Sequence, residues 1–206
     1  MLPLEEIVNK FLVLSLLSVS FLAPKTASAT RAGAGLNVGT MVVPGNYPLR
    51  FPSQVRDNNS TGISKIRGDA HVGLEGAFYM SDAHRIGAVG ALGFGSGYFD
   101  RNFLLKYDYV FAMDEAEVLV GGGLGMGRST FQGADDEKLD MPYYPLRFEA
   151  GPALNQGFIA EQLLLYVQYN IPSGNTYTNA AGAEEDAGAG LSMMLGAELV
   201  VMFGSF

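Results

Sequence analysis

The chain carries two histidines, His71 and His84, and no cysteine. Two histidines without cysteine are too few for a histidine-based zinc site. A serine, histidine and carboxylate set would support hydrolysis. His84 stands near Ser81 and Asp82, and His71 shares a strand face with Asp69 and Glu75. Sequence proximity does not make a triad, which is defined by geometry, so His71 is expected to be a hydrogen-bonded interior residue. The glycine run from Gly121 to Gly127 matches neither dinucleotide-binding nor P-loop spacing, and no helical pattern follows it. Asp135, Asp136, Glu137 and Asp140, and separately Glu184, Glu185 and Asp186, offer oxygen ligands to a divalent cation, yet without an ordered loop motif. Arg50, Arg56, Lys65 and Arg67 outnumber Asp57 in a stretch suited to charge-assisted contacts with phosphate. The plain reading of these loop charges is solvation. No catalytic residue, cofactor or metal site is expected.

The elements that position these residues are strands. In 69–80, Ala70, Val72, Leu74, Gly76, Phe78 and Met80 alternate with Asp69, His71, Gly73, Glu75, Ala77 and Tyr79. A period of two places the sets on opposite faces. The pattern recurs and predicts eight strands, at 31–43, 68–80, 85–95, 102–113, 116–130, 143–154, 161–171 and 188–206. Connections at 81–84, 114–115 and 155–160 read as short turns. Those at 44–67, 131–142 and 172–187 read as long loops, and 96–101 as a loop of moderate length. Pro145 and Pro152 sit awkwardly in the sixth strand, because proline removes a ladder donor. Nothing after residue 29 has convincing helical periodicity.

Residues 1–29 are read apart. An apolar run at 11–23 precedes Ala27, Ser28 and Ala29. The run is shorter than the roughly 17–25 residues that span a membrane as a helix. It reads as a secretory signal peptide cleaved after Ala29, leaving one domain at 30–206. Cleavage would remove Glu5, Glu6, Lys10 and Lys25, so the net charge of −8 would persist. That acidity is a poor match for nucleic acid. With 17% charged residues and 27 glycines among 206, the polar coat is thin for a soluble secreted domain.

Alternation alone leaves open which face meets solvent. The polar face favours the interior of a narrow barrel. It is small in strands three and five, and eight strands leave room only for packed side chains. Its charges have both signs: Asp69, Glu75, Asp108, Glu117, Glu149 and Glu198 against Arg85, Lys106 and Arg147, with His71 among them. Buried charges must pair, and Lys106 with Glu117 is one expected pair. Tyr98, Phe99, Phe103, Phe131, Tyr144 and Tyr169 gather at the loop end, and Phe78, Phe111, Phe158 and Phe203 at the turn end. Two aromatic belts mark two membrane interfaces.

The signal segment, the alternation of long and short connections and Phe206 as last residue together resemble the bacterial outer-membrane eight-stranded barrels of the OmpA, OmpX and OmpW kind. The resemblance is one of pattern over residues 30–206. It implies an all-β, eight-stranded antiparallel up-and-down transmembrane barrel in the outer membrane, in contact with lipopolysaccharide. It also implies that Phe206 is the signal read by the barrel-assembly machinery, although Phe206 falls on the polar parity of its strand. The expected role is structural or interactive, with a narrow charge-paired lumen and a monomeric state. A conduit or binding site for a small hydrophobic molecule is the second reading, a lipid-modifying enzyme the third, and a soluble barrel with its apolar face inward the fourth.

Overall fold

A computed structural model describes residues 31–43, 67–95, 98–114, 116–132, 138–186 and 192–206, with the side chains at 43, 67–69, 98 and 192 outside the description. The signal segment, Arg50, Arg56, Lys65, Asp135, Asp136, Glu137 and the side chains of Arg67 and Asp69 lie outside the described residues. The strands are β1 (Ala32–Val43), β2 (Arg67–Ser81), β3 (His84–Gly95), β4 (Tyr98–Ala112), β5 (Glu117–Gln132), β6 (Lys138–Gln156), β7 (Ile159–Pro172), β8 (Thr176–Thr178), β9 (Glu184–Asp186) and β10 (Ser192–Ser205). Staves β1 to β7 and β10 each pair antiparallel with their neighbours, and β1 on β10 closes the circle. This is an eight-stranded up-and-down barrel. Closure leaves none of the eight staves as an edge strand. The hairpin β8–β9 continues the sheet from the first residues of β6, beyond the end of β7.

The alternation decides inside from outside. Leu124, Met126 and Leu165 are each 64% exposed on the outer face, while Arg85 and Asp108 are fully buried within. Exposed Leu, Val, Phe, Tyr and Met side chains continue around the staves, far beyond the few hundred Å² of contiguous apolar surface that a soluble monomer tolerates. Such an exterior suits hydrocarbon. Staves of 12 to 19 residues exceed the roughly 9–11 a tilted strand needs to cross it.

Several boundaries differ from expectation. Only residues 96–97 separate β3 from β4, so the loop expected at 96–101 is mostly strand. Phe94 and Phe99 bring their rings within 5.5 Å on the outer face there, and Asp100 is buried inside. Of the loop expected at 131–142, residues 131–132 and 138–142 are strand, where Leu139 and Met141 pack inward against Tyr177. Prolines in β6 are tolerated by interrupting the ladder on one side only. Pairing with β5 lapses opposite Tyr144 and Pro145 while Pro145 stays in register with Asn170 of β7. Pairing with β7 lapses opposite Gly151 and Pro152 while Pro152 stays in register with Val118 of β5. Phe131 does not join the outer aromatic belt; it points inward against two buried clusters.

The interior is layered. At the turn end, Ala77, Tyr79, Val110, Leu119, Ala153, Ala160, Leu164, Val200 and Met202 form an apolar floor with Phe206 packed against it. Phe206 meets Tyr79 edge to face, with ring centroids 6.5 Å apart. The β1–β10 register runs unbroken from Ala32 opposite Ser205. No bulge therefore turns Phe206 outward, and it is Phe203 that faces out, beside Phe158 at 6.2 Å. At the loop end, Met41, Tyr166 and Met194 form a second apolar layer.

Candidate functional site in the barrel lumen

Between floor and roof lies a layer of ionised side chains. Alternation aims each of them inward from its stave, and the register sets them against one another. Arg85 donates from Nη2 to Glu75 Oε1 at 2.5 Å, and its Nε lies 2.9 Å from Asp108 Oδ2, the register partner on β4. Arg85 Nη1 donates to Gln162 Oε1 at 2.8 Å across the lumen. Lys106 Nζ reaches Glu75 at 3.3 Å and pairs closely with Glu149. Arg147 Nε lies 2.9 Å from Glu149, and its Nη2 is 2.6 Å from Glu198. His71 Nε2 faces Glu198 Oε2 at 3.2 Å. Asp108, Arg85, Glu75, Lys106, Glu149, Arg147 and Glu198 form one chain of alternating sign, which ends on His71. It links β2, β3, β4, β6 and β10. Each charge is withdrawn from water, at a cost of several kcal/mol, and each has an opposite charge or His71 beside it.

Glycines make the room. Gly39 lies in register between His71 and Glu198, Gly121 between Asp108 and Glu149, and Gly123 between Lys106 and Arg147. A Cβ on Gly121 would stand 2.2 Å from Asp108 Oδ1, and one on Gly39 2.5 Å from His71 Cε1. The glycine run of β5 is the flat wall over which β4 and β6 bring their charges together. Arg147 also lies over the Tyr166 ring, 3.7 Å from its centroid.

Two further groups flank this chain. Glu117 pairs with Arg31 at 2.6 Å rather than with the expected Lys106. Leu119 separates it on the inward face from Gly121, the row of Asp108. That places Glu117 at the turn end, where Arg31 covers Tyr79 at 4.0 Å. Towards the loops, Asp100 accepts from Ser129 Oγ at 2.7 Å and Tyr143 Oη at 2.8 Å. Asp100 was hidden by the loop-like composition of 96–101. Gln162 and Asn37 were legible only as inward parity, since neither carries charge.

Among the described residues, neither histidine joins a serine. His71 faces Glu198, and His84 Nδ1 lies 2.6 Å from Tyr107 Oη. The Ser81 hydroxyl accepts from the Ala83 amide at 3.3 Å. Among the described residues, no three of His, Asp and Glu are grouped to hold a metal. Glu184 to Asp186 are exposed on β9, opposite Thr176 to Thr178. On the outer face near the loops, Asp140 takes a hydrogen bond from Thr130 at 2.8 Å and ion pairs from Lys138 at 2.8 Å and Arg128 at 3.1 Å. Partial burial pushes the Asp140 carboxyl up, but the bonds from Lys138, Thr130 and Arg128 outweigh it and hold it below its ordinary value.

No sequence family and no curated protein matches the chain. Among solved structures, Neisserial surface protein A is similar at 10% identity, over 87% of this chain and 100% of that one, with a TM-score of 0.49. The N-terminal β-barrel domain of Pseudomonas aeruginosa OprF is similar at 11% identity, over 81% and 96%, with a TM-score of 0.45. A major outer membrane protein from Thermus thermophilus is similar at 10% identity, over 82% and 98%, with a TM-score of 0.41.

Proposed function

We propose that the chain is an outer-membrane barrel whose role is structural and interactive: a rigid anchor that presents its loop end to the exterior. The observation that carries this is the filled lumen. The chain of ion pairs from Asp108 to His71 crosses the interior, with buried apolar side chains on either side of it. A conduit needs a continuous wet or apolar path, and here an apolar solute would have to displace buried charge. An enzyme of the serine and histidine kind needs a serine hydroxyl on a histidine, and among the described residues His71 faces Glu198 and His84 faces the Tyr107 phenol instead.

Reconstitution into planar lipid bilayers tests the reading. The wild-type protein is expected to give no resolved single-channel steps under voltages that open porins. Truncating Lys106, which connects the two halves of the ion-pair chain, is expected to lower stability before it yields conductance. Steady channel steps from the wild type, abolished by a bulky residue at Gly123, would replace the anchor by a conduit.

A further inference from the structure

The outer face of the loop end holds a charge arrangement that the lumen does not explain. Arg101 on β4 and Arg128 on β5 are direct register partners, both on the outward parity of their strands and both exposed. Like charges directly opposite one another on adjacent strands repel. Arg128 and Lys138 share a single carboxylate, Asp140, and each cation is 46% exposed. Arg101 has no ion pair or hydrogen bond among the described residues. Among the described residues of β4, β5 and β6 on this face, three cations stand against one carboxylate, a local surplus of two positive charges, and Glu184 and Asp186 lie farther round the same sheet on β9. The patch is bordered by apolar outward residues: Phe103 and Met126 form the next outward row towards the membrane centre, and Phe94 and Phe99 lie on the other side.

We propose that this patch binds the phosphate of a lipid headgroup in the outer leaflet, with Arg101 and Arg128 as the clamp and Lys138 beside them. The assignment rests on the membrane reading above. A phosphate oxygen between two opposed guanidiniums removes their repulsion and supplies the missing anion, in the geometry that arginine forks favour. Acyl chains below would lie against Phe103 and Met126. A lipid, rather than a soluble anion, is favoured because the cations sit on the barrel's outer wall, directly against that apolar surface.

The test uses the full barrel in detergent micelles and measures its retention of bisphosphorylated lipid A, of the same lipid after dephosphorylation, and of inorganic phosphate. Wild type is expected to retain the phosphorylated lipid and to lose most retention with the dephosphorylated form. Arg101→Gln with Arg128→Gln should weaken retention about thirtyfold. Asp140→Asn, which raises the surplus, should tighten it about fivefold, and it decides the matter if the arginine variant does not fold. Equal retention of the dephosphorylated lipid, or no loss in the arginine variant, overturns the site. Displacement of the lipid by an equal concentration of inorganic phosphate overturns the lipid as occupant. Boiled and unboiled gel mobility is read on the same samples. A heat-modifiable barrel without lipid retention sinks this proposal alone, whereas a chain soluble without detergent sinks the membrane reading as well.

Discussion

Lys106 is the residue on which the lumen turns. Its ammonium lies between Glu75 of β2 and Glu149 of β6, on opposite sides of the barrel. Removing a partner from a buried ion pair leaves an uncompensated charge, which costs about 3–5 kcal/mol. Lys106→Met is therefore expected to destabilise the barrel by about that amount in urea unfolding from micelles. A double-mutant cycle sharpens the prediction. Lys106 and Glu149 should show a coupling above about 1 kcal/mol, whereas Lys106 and Glu117 should be additive within about 0.5 kcal/mol. The reverse result would mean that the register is wrong. That both Lys106 and Glu117 face the lumen was readable from alternation. Which carboxylate Lys106 meets was not, because pairing depends on register, and no local pattern within one strand states where its neighbour begins. The same limit hid the Arg31 and Glu117 pair, whose members are far apart in sequence.

At the scale of the strand, β5 contributes mostly by what it lacks. Its inward positions Gly121, Gly123, Gly125 and Gly127 leave the space that Asp108, Lys106 and Tyr143 fill. Gly121→Ala would meet Asp108 Oδ1 at 2.2 Å and the Tyr107 carbonyl oxygen at 2.3 Å. Gly39→Ala would meet His71 and the Ala197 carbonyl oxygen, the latter at 2.3 Å. Backbone atoms of a closed barrel cannot step aside cheaply, so each change is expected to cost about 1–3 kcal/mol. Gly76 is the control, since a Cβ there has nothing within 4 Å, and Gly76→Ala should fall within about 0.5 kcal/mol of wild type. Urea midpoints of the three variants in one detergent decide it. Equal midpoints would mean that the lumen is looser than its ion-pair distances imply. The sequence showed the alternation of β2, β3, β5 and β7 plainly. It misled where composition imitates a loop, at 96–101 and 131–142. There tertiary packing of Phe99, Leu139 and Met141 overrides local propensity. The short hairpin β8–β9 carries too few residues to show a period at all.

As a whole, the molecule is inverted relative to a soluble protein. Charge lies within, at Arg85, Lys106, Arg147 and their carboxylates, and Leu, Met and Phe lie without. Without a disulfide to hold it, the fold depends on closure of the sheet, on lumen pairing and on a hydrocarbon surround for its outer face. The absence of native cysteine makes the orientation directly measurable. A single cysteine at Leu124 or Leu165, each 64% exposed, carries a polarity-sensitive fluorophore out from the wall. In lipid vesicles both labels should emit as in hydrocarbon and be quenched by lipids brominated along the acyl chain. A label on Asn179 or Ala181, in the turn between β8 and β9, should emit as in water and escape that quenching, because the hairpin extends beyond the end of β7. Position 181 is the cleaner choice of the two, since the Asn179 side chain accepts from the Ala181 and Ala183 amides at 3.0 Å. Water-like emission at Leu124 and Leu165, with quenching only by an aqueous agent, would put the apolar wall in water and overturn the membrane reading. Graded quenching, strong at Leu124 and Leu165 and absent at Ala181, would locate the bilayer on the barrel and place Arg101 and Arg128 relative to its headgroups.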